Sequence, residues 1–119
     1  GALMEALAAR LAAHYPGLQI TTGSNDPAGH EIVGNATPLG MKDDDPLPLD
    51  MDRLSPGTFI GEVVMKAETT PFLAAAARRG FPFQTGVDML FEQIPAYLDF
   101  FGLPPASADT LRALARIRY

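Results

Sequence analysis

Several side chains in this sequence are of types that could do chemistry. The run Asp43-Asp44-Asp45 clusters the oxygens that hard cations take. It lies between Lys42 and Pro46 in a proline-rich stretch, where three carboxylates read as a solvated turn, so no metal site is expected. His14 falls near the end of a helical pattern, where positive charge is favoured. His30 sits in the loop "SNDPAGH" with no carboxylate at ligand spacing, and neither histidine makes a metal centre or a nucleophile–base pair. Arg78-Arg79 closes another helical pattern and complements its dipole. Met65, Met89 and Leu90 are core residues by type and pocket lining by position. Gln93, one turn after Met89, is a two-way hydrogen-bonding group on a mostly apolar helix; buried, it needs a partner, although exposure is the commoner outcome. The sequence contains no G-x-G-x-x-G and no P-loop, so the usual phosphate cradle is absent.

These residues must be held by a single domain of 119 residues, long enough to bury a core. A net charge of −5, from 9 Lys+Arg against 14 Asp+Glu, leaves no basic footprint for nucleic acid or an anionic membrane. The absence of cysteine excludes disulfides, thiolate zinc sites and a cysteine nucleophile. No apolar run is long enough to span a bilayer and nothing at the start resembles a signal peptide, so a cytoplasmic address is expected.

Along the chain, Met4, Leu7, Ala8 and Leu11 recur at helical spacing and predict an amphipathic helix over 3–14, stopped by Pro16-Gly17. "LQITTG" (18–23) and "EIVGNA" (31–36) are strand candidates. The proline-rich connection 38–57 should hold one helical turn near Asp50–Leu54. "FIGEVVM" (59–65) reads as a strand covered on both faces. Thr70 as N-cap, Pro71 at the first helical position and Gly80 at the stop frame an alanine-rich helix. "FPFQT" (81–85) predicts another strand. Met89, Leu90, Ile94, Tyr97, Leu98 and Phe101 trace an apolar stripe on a helix over about 87–101 that Pro95 should kink. Ser107 caps a last helix, with Leu111, Leu114 and Ile117 inward and Arg112, Arg116 and Arg118 toward water. Alternating strands and helices argue for an α/β domain with a largely parallel sheet. Ligands bind such sheets outside the carboxyl ends of the strands, where "NATPLGM" and "TGVDM" lie.

Three segments, "EIVGNATPLGM", "EVVMKAETTPFLAAAARRG" and "TGVDMLFEQIPAYLDFFG", occur in an order and spacing that resemble the C-terminal half of the shikimate dehydrogenase family, in particular its shikimate/quinate dehydrogenase-like branch. The resemblance implies part of a Rossmann-like domain, missing its first βαβ unit and an N-terminal substrate domain that carries the catalytic lysine–aspartate pair. It implies an NADP- or NAD-dependent oxidoreductase that interconverts 3-dehydroshikimate and shikimate by hydride transfer, the cofactor supplying the hydride. By the same resemblance Asn35, Ala36, Thr37, Pro38, Met41, Val63, Gly86 and Met89 border the cofactor, while Met65 and Gln93 face the substrate. Met65 stands where the family commonly has tyrosine, and Glu62 where it has aspartate. Loss of the phenol leaves quinate or a related acid as an alternative substrate. On this reading the chain is a fragment, inactive alone, and its open sheet edges should be paired by another copy or by rearranged strands. The competing reading is a free-standing module that binds a ligand or partner without catalysis.

Overall fold

The structure is a computed structural model that describes residues 1–115. The chain runs α1 (Ala2–His14), β1 (Ile32–Asn35), a 3-10 turn (Met51–Arg53), β2 (Phe59–Glu62), α2 (Pro71–Arg78), β3 (Phe83–Gln84), α3 (Gly86–Phe100) and α4 (Ala108–Leu114). The three strands form one parallel sheet in the order β1-β2-β3. The registers Val33↔Ile60 and Ile60↔Phe83 place β2 at the centre, and the α/β architecture with a parallel sheet is as expected.

The core forms where β2 meets α2. Ile60, Phe72, Leu73, Ala75 and Ala76 are buried together with Met51 and Leu54 from the 3-10 turn. Each large apolar side chain here contributes about 1.5–3 kcal/mol of transfer free energy. The alanines of α2 let its backbone approach the sheet. Both ends of α2 are closed as its sequence predicts. The Thr70 hydroxyl accepts from Leu73 N–H, and Pro71 occupies the first turn. At the other end Gly80 N–H reaches Ala77 O and Phe81 N–H reaches Ala76 O, the paired bonds of a Schellman stop with Gly80 at φ +76°. Thr70→Ala is expected to lower unfolding free energy by about 1–2 kcal/mol in urea titration, with Thr70→Ser retaining most of it.

Four expectations are corrected. Residues 18–23 form no strand: Leu18 is exposed and no ladder partner meets that stretch among the described residues. The central strand is covered on one face only, since Ile60 and Glu62 are buried while Phe59 and Val63 are more than a third exposed. The apolar stripe of α1 packs on nothing that buries it, and Met4 and Leu7 are exposed. Along α3 no member of the expected stripe is fully buried: Met89, Leu90, Ile94 and Leu98 are half-buried and Tyr97 and Phe101 exposed, while Phe91, outside the stripe, is buried. Leu114 of α4 is also exposed.

Pro95 lies inside α3, which continues to Phe100. Arg112, expected to face water, instead staples α4 to α3. It pairs with Glu92 at 2.7 Å, Asp109 at 3.3 Å and Asp88 at 3.6 Å, and its guanidinium lies 5.8 Å from the Phe91 ring centre. The remaining expectations for that helix, Arg116, Ile117 and Arg118, lie outside the described residues.

Candidate functional site

Asn35 is the last residue of β1 and is buried. Its Oδ1 accepts from Thr37 N–H at 3.1 Å and from the Thr37 hydroxyl at 2.7 Å, which folds Asn-Ala-Thr into a side-chain-closed turn. Its Nδ2 donates to Leu39 O at 3.0 Å and to Glu62 Oε1 at 2.7 Å. Glu62, at the end of β2 and also buried, accepts the Thr70 hydroxyl on its other oxygen. One carboxylate thus joins the exit of β1 to the start of α2. The register Asn35↔Glu62 brings the pair side by side across the parallel ladder.

Beyond the turn, Asp45 Oδ2 accepts from Gly40 N–H at 3.0 Å and Lys42 N–H at 2.9 Å, while Asp43 pairs with Lys66 at 2.5 Å. The backbone donors, Lys42 N–H first, hold the Asp45 carboxyl below its ordinary range. Two of the three consecutive aspartates are therefore occupied in shaping and tethering the loop after β1.

Gly86 opens α3 behind a capping box. The Thr85 hydroxyl accepts from Asp88 N–H, and Asp88 Oδ2 accepts back from Thr85 N–H. The helix starts hard against the end of β2: a Cβ on Gly86 would stand 2.6 Å from Val64 O and 3.0 Å from Met65 Cγ. This approach sets the distance between Met89, one turn along, and the sheet.

These elements enclose a cleft of about 230 Å³ at the carboxyl ends of the strands. Gly34, Gly61 and Gln84 form a row across the sheet, Gly34 opposite Gly61 and Gly61 opposite Gln84, while Ala36, Val63 and Met89 are further lining residues. Asn35 and Glu62 complete the lining. The structure therefore brings Asn35, Ala36, Val63 and Met89 to one cleft and sets Gly86 and Met65 in contact beside it. Gln93 lies one turn beyond Met89, half-buried, and accepts the Tyr97 hydroxyl at 2.9 Å. Thr37 holds the turn, and Pro38 and Met41 are exposed on the loop, joined by a Met41 N–H to Pro38 O bond. A larger cavity of about 440 Å³ runs along the outer edge of β1 and reaches Ala36 and Thr37. Glu62 as a buried tie and Gln84 as lining were not anticipated as site residues. A lone glutamate inside "FIGEVV" was the available signal for the first; nothing marks the second.

The loop 24–30 is anchored against the connection before β2. Arg53 grips Asp26 through Nε at 2.7 Å and Nη2 at 2.5 Å, and Gly29 N–H donates to Ser55 Oγ. The Arg53 hydrogen bonds, then the Ala28 N–H, lower the Asp26 carboxyl from 3.8 to about 2. Because the folded value lies below the ordinary one, the grip stabilises the fold above pH 3.8 and is lost as pH falls toward 2. Arg53→Ala is expected to return the Asp26 midpoint toward 3.8 in a carboxyl NMR titration.

No protein-family model matches the chain. A protein of Acidiphilium cryptum named shikimate dehydrogenase (NADP(+)) is 41% identical over 90 residues, covering 74% of this chain and 33% of that protein. One of Rhodospirillum rubrum with the same name is 37% identical over 114 residues, covering 91% of this chain and 40% of its own length. A third, of Methylobacterium radiotolerans, is 35% identical over 112 residues. Over the matched residues this chain is similar to proteins named shikimate dehydrogenase (NADP(+)). It spans between a third and two-fifths of the length of these curated relatives. The shikimate dehydrogenase likeness therefore extends over most of the described fold, the carboxyl-edge cleft included, as the 91% match shows.

Proposed function

We propose that this chain is the nicotinamide-facing part of a longer NADP- or NAD-dependent oxidoreductase of shikimate dehydrogenase type, acting on a cyclic hydroxy acid and reducing 3-dehydroshikimate to shikimate. The observation that carries the reading is the carboxyl-edge cleft, where the Asn35 turn, Val63 and Met89 meet. The cleft fits a flat ring. A Cβ built on Gly34 or Gly61 meets nothing within 4 Å, so the paired glycines leave open floor, and Ala36, Val63 and Met89 supply apolar surface beside it. When bound, the nicotinamide supplies or accepts the hydride.

The work of this chain is then positioning. Asn35 holds the turn so that Ala36 borders the cleft, Gly86 lets α3 seat Met89 close to the sheet, and Gln93 offers an amide to a substrate hydroxyl. The lysine–aspartate pair for proton transfer is assigned to a domain outside this chain, so the chain alone is expected to show no turnover. In the full-length gene product, Gln93→Ala is expected to lower kcat/KM for 3-dehydroshikimate by about tenfold or more through loss of one hydrogen bond to substrate. An unchanged value would make Gln93 a helix-surface partner of Tyr97 and nothing more.

Met65 favours a second substrate. An apolar thioether in contact with Gly86 makes no hydroxyl–hydroxyl bond, so quinate, or another acid of that class, is to be assayed beside shikimate. For the isolated chain the outer edge of β1, where Ile32 is 73% exposed, is unpaired among the described residues, and such an edge is expected to recruit a partner. Sedimentation velocity is expected to show self-association, and a strict monomer at high concentration would remove that part of the proposal.

A further inference from the structure

Among the described residues that line the cleft, Glu62 is the only ionisable one, and it is 4% exposed. Each of its oxygens meets a donor, Asn35 Nδ2 on one and the Thr70 hydroxyl on the other. The orientation of the Asn35 amide is set independently, because Oδ1 accepts a backbone N–H and Nδ2 also donates to a backbone carbonyl. The Thr70 oxygen already accepts from Leu73 N–H, which leaves its proton for Glu62. These partners suit a carboxylate. Among the described residues no cation pairs with it: Lys66 is engaged by Asp43, and Arg112 by Asp88, Glu92 and Asp109. A buried charge stabilised only by neutral donors keeps its field, which the low-dielectric surroundings transmit and salt screens little.

We propose that Glu62 makes the cleft discriminate between the redox forms of its cofactor, favouring the oxidised nicotinamide, whose ring is cationic, over the reduced, whose ring is neutral. The inference rests on the cleft being the nicotinamide site. Coulomb attraction acts on one form only, so the carboxylate changes a ratio of affinities and not the fit of the ring. By linkage it equally makes the bound cofactor harder to reduce.

The test uses the full-length gene product and two titrations, NADP+ by calorimetry and NADPH by its fluorescence. Glu62→Gln keeps the bond from Asn35, the amide oxygen accepting from Nδ2, and reverses the one with Thr70, the amide N–H now donating to the hydroxyl oxygen. It removes the charge at the cost of the acceptor for the Thr70 proton, a change that bears on both redox forms alike. This variant is expected to raise the Kd for NADP+ on the order of tenfold while that for NADPH changes by less than about twofold. Glu62→Asp keeps the charge and should keep the wild-type ratio, even if both forms bind less tightly. If Glu62→Gln does not fold, the double variant Glu62→Met/Thr70→Val replaces it, because removing acceptor and donor together leaves no unpaired hydroxyl and Asn35 Nδ2 keeps Leu39 O. Equal changes in both affinities, or no change, overturn the proposal and leave Glu62 a structural tie. So does a ratio that shifts as far in Glu62→Asp as in Glu62→Gln. A wild-type protein that binds neither form overturns the functional reading itself, which separates the two failures.

Discussion

Asn35→Ala is expected to lower the unfolding free energy of this chain by about 2–4 kcal/mol, measured in urea at neutral pH. The substitution removes an amide that four groups use at once: Thr37 N–H, the Thr37 hydroxyl, Leu39 O and Glu62 Oε1. The first three lie in a loop where Thr37 is exposed, so water can replace part of what is lost. Glu62 cannot recover in that way, because it is 4% exposed and its carboxylate would keep only the Thr70 hydroxyl. The cost of leaving a buried charge short of a donor therefore sets the size of the effect. Asn35→Asp separates charge from shape. It places a second carboxyl at hydrogen-bond distance from Glu62, and two such groups cannot both ionise cheaply. One of them titrates above its unfolded value, so this variant is expected to gain stability relative to wild type as pH falls from 7 toward 4, where that group protonates. A loss below about 0.5 kcal/mol for Asn35→Ala would show that the turn holds without its side chain.

What was legible in the sequence was whatever is decided locally. Thr70, Pro71 and Gly80 frame α2 within one stretch and Ser107 caps α4, each through neighbours three or four residues away. The capping box of Thr85 and Asp88 at the start of α3, equally local, goes unread because Thr85 also reads as the end of a strand. The strand at 31–36 is recognisable because Ile32, Val33 and the exit through Asn35 lie together. Residues 18–23 carry an equally good strand composition and form none, because a strand exists only by pairing and no partner lies beside them among the described residues. For the same reason the helix expected over 3–14 forms at 2–14 while its apolar stripe stays uncovered: periodicity says which face is apolar, not what covers it. Arg112 was misread because its three carboxylate partners sit on two helices whose packing no local pattern specifies. At the edge of the sheet, the resemblance implied eight residues around the cofactor, and the fold brings four of them, Asn35, Ala36, Val63 and Met89, to one cleft. The tie from Asn35 through Glu62 to Thr70 was not readable. It depends on the register Asn35↔Glu62, which joins residues 27 apart.

Gly86→Ala is expected to be the most damaging single methyl addition at this edge, with a loss of about 1–3 kcal/mol. The added Cβ would lie 2.6 Å from Val64 O and 3.1 Å from Val63 C, both backbone atoms of the segment that ends the central strand. Backbone cannot step aside as a side-chain tip can, so either α3 retreats or the segment after β2 bends. Conformation is not the reason for the glycine, since Gly86 is absent from the positive-φ positions where Gly80 and Gly102 stand. Alanine is even the better helix former, which would offset part of the steric cost if the clash were mild. The functional consequence should exceed the change in stability. Retreat of α3 carries Met89 away from Val63 and Ala36 and widens the cleft, and it separates Met65 from the helix that bears Gln93. In the full-length gene product, Gly86→Ala should therefore weaken NADPH binding by about tenfold or more even at temperatures where it stays folded. A variant that loses stability but binds as wild type would show that the close approach serves packing alone. One that keeps both would mean the helix can shift by the few tenths of an ångström needed, without moving Met89.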